Sequence, residues 1–389
     1  MKEINCEILV VGSGLIGLVA AHSLSSLNFK VALVDKKNFS DPNMSFQDNR
    51  TVAISEGSKQ FLEHLYLWSD LKGYAEPIKK IKVFDRSPKN KIEFKNSNTS
   101  QNLGYVIENK IFSKILIDKL NKFKKIKKIY GFDVSNVEYE RGVCKVSSEK
   151  YTINSKLLVA ADGKNSKIKN IIGTKTYKKV YPDNALVITF EHEKNINNTA
   201  YEIFYKTGPI AILPMNSKKG FKSTVIWSNN KNVLNKLVNS NSVFLKNYVE
   251  EKIGDYVGHI KKISSFQVFP LSAHLNDSFY GNRLIYIGDS AHSIHPIAGQ
   301  GWNLGVTDVK NLYKISKSLR GQIGTTSFCK EYNDLTYNKA FQLYQITDKL
   351  NSHFKKNNLL YRQLSNIGFN FIENTRAIKN KISKYAMAI

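Results

Sequence analysis

The chain has 389 residues, 42% of them hydrophobic and 11% aromatic, enough for roughly two to three domains with real cores. Disorder, collagen and small disulfide scaffolds are excluded by that composition. The 58 Lys and Arg against 32 Asp and Glu give a net charge of +26. The charge is spread rather than blocked, and only seven of the basic residues are Arg. This reads first as compositional bias and second as attraction to an anionic surface. No helix-turn-helix, zinc pattern or aromatic RNA platform accompanies it, so no nucleic-acid partner is expected. Cys6, Cys144 and Cys329 are odd in number and far apart, without a CxxC. Neither a metal site nor a disulfide framework is expected, and the reading is a reducing compartment.

In chain order, the first element is the apolar run 8–11, as expected of a strand buried on both faces. Residues 12–17, GSGLIG, follow as a full GxGxxG, and then a helical apolar pattern runs through Leu15, Leu18, Val19, Ala21 and Leu24. A second strand at 31–34 ends in Asp35. Gly12 permits a tight turn, Gly14 a close approach of backbone to a pyrophosphate, and Gly17 close helix–strand packing. The helix N-terminus suits phosphates, and Asp35 can accept ribose hydroxyl hydrogen bonds. A carboxylate there argues for FAD or NAD over NADP. The uncharged stretch 8–26 superficially resembles a signal peptide, but its glycines and the strand that follows favour strand, turn and helix. No other stretch reaches the ~18 to 20 apolar residues needed to cross a bilayer. The expected location is cytoplasmic, at most peripheral to a membrane.

Further along, the buried run 157–161 ends in Asp162-Gly163, with Ser166 and Lys169 after it. The run 284–287 ends in Gly288-Asp289 and leads into His292. Residues 295–308, HPIAGQGWNLGVTD, follow. No second GxGxxG occurs, so one dinucleotide site is expected, built from three distant strand ends.

These three fingerprints, in this order, resemble the aromatic-ring flavoprotein monooxygenases with the para-hydroxybenzoate hydroxylase fold. Residues 295–308 are similar to the signature of the ubiquinone-biosynthesis hydroxylases acting on polyprenyl phenols. Residues 48–55, 103–107 and 208–214 agree with that subfamily. Asp35 stands where the family usually has Glu, and Lys169 where it usually has Arg.

The resemblance implies an α/β fold: a Rossmann-like FAD-binding domain (1–75, 100–172 and 275–325), a mixed β-sheet substrate domain (76–99 and 173–274) and C-terminal helices (326–389). It implies FAD held by Gly12, Gly14, Gly17, Asp35, Arg50, Asp162, Gly163, Gly288, Asp289, Pro296, Gly299, Gln300, Gly301 and Asn303. It implies ring hydroxylation of a polyprenyl phenol through a flavin C4a-hydroperoxide, with O2 and NAD(P)H as transient electron donor. His292 and His295 are the nearest candidates for a base; capping or packing around the proline turn is their competing role. The C-terminal segment interleaves Leu359, Leu360, Leu364, Ile367, Phe371, Ile372, Ile378 and Ile382 with Lys355, Lys356, Arg362, Arg376, Lys379, Lys381 and Lys384. It reads as a packed amphipathic helix that also meets the inner face of an anionic cytoplasmic membrane, or a ubiquinone-biosynthesis complex. Three alternatives stand beside this reading. A flavin halogenase would carry WxWxIP, for which Trp68, Trp227 and Trp302 are too scattered. An FAD-dependent isoprenoid reductase should lack the 295–308 run. A monooxygenase of a soluble aromatic compound shares the motifs.

Overall fold

The computed structural model describes residues 2–38, 48–85, 87–96, 101–140, 142–355 and 359–387, with only the backbone of 87–90, 298, 359–364 and 385–386. The side chains of Leu359, Leu360, Arg362 and Leu364, and the whole of Lys356, therefore lie outside the described residues.

A six-stranded sheet holds the glycine motifs. Its order is Tyr280–Gly281, Leu284–Tyr286, Leu157–Ala160, Ile8–Val11, Val31–Asp35 and Ile126–Tyr130. Every pairing is parallel except the Tyr280–Gly281 edge. The continuous apolar runs belong here because strands covered on both faces have no polar side to offer. Ile8, Leu9, Val10, Leu158, Val159 and Ile285 are fully buried. The helix Leu15–Ser26 packs on this sheet, and the helix Gly301–Ser318 packs on Leu15–Ser26 and on the strand Thr51–Ser55. Two smaller sheets flank it: Lys2–Asn5, Tyr151–Ser155, Val143–Ser147 and Asn136–Glu140, and Thr51–Ser55, Gly104–Glu108 and Glu76–Ile78.

An eight-stranded sheet runs His292–Ser293, Ile260–Asn276, Thr176–His192, Phe221–Asn230, Gly208–Met215, Thr199–Tyr205, Lys80–Asp85 and Ser87–Lys95. Its two faces separate by the period of two. Leu186, Ile188, Phe190, Val225, Trp227 and Ile203 lie in one core with Leu234, Leu245, Val249 and Ile253 of the helices Lys231–Val238 and Ser242–Val257. The other face turns toward the six-stranded half. There Phe204 shares a cluster with Ile297, Phe354 and Phe369.

Three boundaries differ from the sequence expectation. Glu76–Ile78 pairs with Gly104–Glu108, so the chain reaches the large sheet only at Lys80. His292–Ser293 adds an edge to that sheet beside His274 and Leu275, although the flanking residues serve the glycine motifs. The helix Thr326–Lys355 buries Phe328, Cys329 and Tyr332 in the parallel-sheet core, so the start of the C-terminal helical segment shares the core of the FAD-binding half. Each is a long-range pairing, which local pattern does not encode.

The halves of the nucleotide fold meet at Ile16. A Cβ on Gly305 would come within 2.8 Å of Ile16 Cδ1 and 3.3 Å of Gly288 Cα, and one on Gly288 within 3.2 Å of Ile16 Cγ2. Gly305→Ala is expected to cost about 1–3 kcal/mol of stability through this overpacking. Adding Ile16→Ala should recover part of that cost, because the two changes share one space. Urea unfolding of the two single variants and the double variant checks it; strictly additive costs would show that Ile16 is not the obstruction.

Candidate active site

Three strand ends converge on one cleft. At the first, Gly12 takes φ +108°, and a Cβ there would lie 2.3 Å from Ala161 O. A Cβ on Gly17 would lie 1.9 Å from Gly12 O, so this turn and helix close only on glycine. At Gly14, by contrast, a Cβ would meet no atom within 4 Å. Gly14 is also the N-cap of Leu15–Ser26, with no side-chain cap and no acidic residue in the first turn. Unpaired amides and the positive end of the helix dipole therefore face an accessible cradle, the arrangement that a pyrophosphate needs. Asp35 stands beside it. Its Oδ2 accepts from the Ser13 N–H at 2.6 Å and the Ser13 hydroxyl at 2.9 Å, and its Oδ1 from the Lys37 N–H at 2.8 Å. The carboxylate is thus fixed at the strand end before any ribose arrives.

At the second end, Gly163 takes φ +83°, Ser166 is the N-cap of the helix Lys167–Ile172, and Asp162 takes that helix's first two amides. Its Oδ2 accepts from the Lys167 and Ile168 N–H groups at 2.7 and 3.1 Å. Its Oδ1 is buried and unpartnered. Burial raises the Asp162 pKa, against the hydrogen bonds that it accepts from Ser166 and the helix backbone. A buried acceptor without a donor points to a missing ligand group.

At the third end, Asp289 is open to solvent, yet the atoms crowded around it desolvate the carboxylate and raise its pKa. His292, Arg50 and Lys164 oppose that shift. An accessible acid in crowded surroundings is the mark of a concave floor. Arg50 reaches the same place. It forks onto Asp48 with contacts of 2.8 and 2.7 Å, and its guanidinium lies 5.3 Å from the Phe269 ring centre. The Asp48 hydrogen bonds, partly offset by burial, raise its pKa, and Asp289 adds to the effect.

The turn that follows is built with care. Pro296 precedes the short helix Ile297–Gly299, and Gly299 takes φ +60° with its Cβ position 3.4 Å from Ala53 Cβ. Gln300 is the N-cap of the helix Gly301–Ser318, with no side-chain hydrogen bond to the first-turn amides, and a Cβ on Gly301 would meet nothing within 4 Å. A second uncapped helix N-terminus therefore opens on the cleft.

Three expected site residues sit elsewhere in this geometry. Asn303 is buried, and its amide is spent on protein. Oδ1 accepts from the Ser55 N–H and the Ser58 hydroxyl, both at 2.8 Å; Nδ2 donates to Ala53 O at 2.9 Å and Gly299 O at 3.3 Å. All four hydrogen-bonding positions are filled, so Asn303 holds the turn and has none left for a cofactor. His292 is 2% exposed and bonds Asp308 Oδ2 at 2.7 Å; the same oxygen accepts from the Gly288 N–H at 2.8 Å. Burial disfavours its cation, but Asp308 outweighs this and raises the His292 pKa. His295 is equally buried, edge-on to Tyr181 at 4.9 Å, with neither ring nitrogen partnered. Burial pushes its pKa down to about 4. The spacing of the two histidines gave no sign of these partners, because Asp308 and Tyr181 lie on separate elements.

The comparisons agree with this geometry. The FAD binding domain family matches residues 5–340. The chain belongs to the FAD-binding-domain family. Ubiquinone hydroxylase UbiL of Rhodospirillum rubrum is 26% identical over 98% of this chain and 89% of its own length. The 3-demethoxyubiquinol 3-hydroxylase of Escherichia coli is 23% identical over 98% of both chains. Among solved structures, p-nitrophenol 4-monooxygenase PnpA from Pseudomonas putida superposes with a TM-score of 0.80 and 16% identity over 100% of this chain and 99% of that one. The CmlS flavin-dependent halogenase superposes at 0.73 with 15% identity, over 92% of this chain and 67% of its own. The fold is thus the FAD-dependent monooxygenase fold of the para-hydroxybenzoate hydroxylase type. The cofactor of this flavoprotein is FAD, and the Gly14 and Gly301 cradles, with the orphan Asp162 Oδ1, fit it.

The His292–Asp308 pair ties the Gly288 turn to the Gly301–Ser318 helix. Asp308→Ala is expected to cost ~3–5 kcal/mol, since it leaves a buried histidine and a buried N–H unpaired. A histidine pKa raised by folding stabilises fully below the ordinary value of 6.5, and that stability is lost as pH rises through the folded value. The penalty should therefore be greatest near pH 6 and shrink at high pH. Chemical unfolding across that range checks it; a pH-independent penalty would show that His292 is not charged.

Proposed function

We propose that this flavoprotein is an NAD(P)H-dependent monooxygenase that hydroxylates the ring of a polyprenyl phenol in ubiquinone biosynthesis. The observation that carries the reading is the full-length likeness to named ubiquinone hydroxylases, joined to the glycine turn at 299–301 that opens an uncapped helix onto the cleft. FAD, when bound, supplies electron transfer from NAD(P)H and the activation of O2.

The residues of the chain do the rest. Gly12, Gly14 and Gly17 shape the pyrophosphate cradle, and Asp35 takes the adenosine ribose. Asp162, Gly163, Gly288, Asp289 and Arg50 receive the ribityl and phosphate portion. Pro296, Gly299, Gln300 and Gly301 present backbone to the flavin ring, and at the two glycines a Cβ would stand in the way. The amides at the start of Gly301–Ser318 stabilise negative charge on that ring. His292 and His295 act as positioning residues in this scheme, holding the turn through Asp308 and Tyr181. The apolar face of the large sheet excludes water from the reaction. The domain division expected from the sequence serves this scheme, with the substrate between the two larger sheets.

The reading predicts restored quinone lipid when the chain is expressed in bacterial strains each lacking one ring hydroxylase. Mass spectrometry of quinones reports which strain recovers, and hence which ring carbon is attacked. A folded, yellow protein that restores none would sink the ubiquinone reading and leave a soluble aromatic substrate.

The substrate class also bears on location. No described helix is long and apolar enough to cross a membrane. The helices Thr326–Lys355, Leu359–Asn374 and Arg376–Met387 nonetheless leave Phe341, Ile346, Ile367, Phe371 and Ile382 exposed, while Phe369 and Met387 pack inward. With a +26 chain, these exposed apolar groups suit peripheral docking on the anionic inner face of the cytoplasmic membrane. Flotation with anionic liposomes should recover the protein at low salt, and Ile367→Ser with Phe371→Ser should weaken it. Equal recovery with neutral lipid, or none at low salt, would count against the docking.

A further inference from the structure

The inward face of the eight-stranded sheet carries one residue that neither the glycine motifs nor the flavin site uses. Strand register places Gln267, Val187, Ile226, Ala211, Glu202 and Val83 in a single row across that face. The neighbouring row, about 7 Å away along the strands, runs from Phe269 through Ala185 to Phe204. Phe269 lies under the Arg50 guanidinium, and Phe204 stacks on Phe354 in a cluster that also holds Ile297 of the turn that presents the flavin site. Glu202 therefore stands beside Phe204, two residues along its strand, while Phe269 lies four strands away in the neighbouring row.

The row faces inward, yet Ala211, Ile226, Val83 and Glu202 are only half-buried. Among the described residues Glu202 makes no side-chain hydrogen bond and no ion pair, and its in-register neighbours Ala211 and Val83 are apolar. A lone carboxylate on an apolar floor costs stability unless a ligand completes it. Burial accordingly pushes its pKa up to about 8.

We propose that Glu202 is the group that recognises the phenolic hydroxyl of the substrate and accepts its proton, an assignment that rests on the phenol hydroxylase reading above. The phenol O–H bond breaks, its electron pair stays on oxygen, and the proton becomes the O–H of the Glu202 carboxyl. Electron density then rises at the ring carbons ortho and para to that oxygen, where the hydroxyl is to be placed. A carboxyl titrating near 8 is better matched to a phenol than an ordinary one near 4.5. The apolar residues around it take the ring and the start of the prenyl tail.

The test uses the full-length protein loaded with FAD. A 2-prenylphenol and its methyl ether are titrated separately, and the flavin absorbance change reports binding. The wild type should bind the phenol roughly 10- to 100-fold more tightly than the ether, the range for one hydrogen bond to a charged group. That preference should grow as pH rises through about 8. Glu202→Gln should lose both the preference and its pH dependence, and Glu202→Asp should keep part of each. Folding is read independently. An acid whose pKa is raised from 4.5 to about 8 withdraws stability as pH climbs through that window, so Glu202→Gln should melt higher than wild type at pH 9 and alike at pH 4. A Gln variant that still prefers the phenol with the same pH profile overturns the role of Glu202 alone. A yellow wild type that binds neither compound overturns the phenol hydroxylase reading, and this role with it.

Discussion

Ile16 has room for its side chain only because residues 288 and 305 have none. The GxGxxG helix, the Gly288-Asp289 turn and the Gly301–Ser318 helix come from three separate parts of the chain. They touch through one isoleucine lodged against two glycines. A Cβ at residue 305 would force Ile16 to shift, and one at residue 288 would make it give by a few tenths of an ångström, which a dense interior resists. With the elements this close, the strand ends at residues 12, 162 and 289 open on one cleft. The flavin site is therefore a consequence of packing behind it as much as of the residues that line it.

Polar wiring then fixes what packing brings together. Asp308 receives both the Gly288 N–H and the His292 ring, so one carboxylate sets the turn and the start of the next strand. Asn303 spends its whole amide on Ala53, Ser55, Ser58 and Gly299. That staple holds the Thr51–Ser55 strand against the proline turn. Buried networks of this kind are favourable only when fully satisfied, and these two are. Asp162 Oδ1 is left without a partner at the second strand end, and the Glu202 carboxyl makes no hydrogen bond to the described residues.

The large sheet divides its labour by face. One alternation is sealed under two helices and supplies stability. The other is half-open, bounded by the flavin turn, and supplies the floor on which an aromatic ring can rest. The same two-residue period puts Ile203 into the core and Glu202 onto the floor. The C-terminal helices pack on part of this face through Phe354 and Phe369, and they leave apolar side chains outward.

The continuous apolar runs at 8–11 and 157–160, the glycine turns and the acid at the end of Val31–Asp35 were legible in the sequence. Their physics is local: burial on both faces, positive φ and a helix start leave marks within a few residues. The long run at 295–308 was legible for the same reason. What tertiary structure alone decided are the partners: Asp308 for His292, Tyr181 for His295, Asp48 for Arg50, and four backbone or hydroxyl groups for Asn303. Except for Asp48, these partners lie on elements remote in the sequence or depend on how two elements meet. Glu202 is the sharpest case. In the sequence it is one acid in an alternating strand, where solvent would be its natural surroundings. Only the assembled sheet turns that side chain inward, onto a floor where none of the described residues answers its charge.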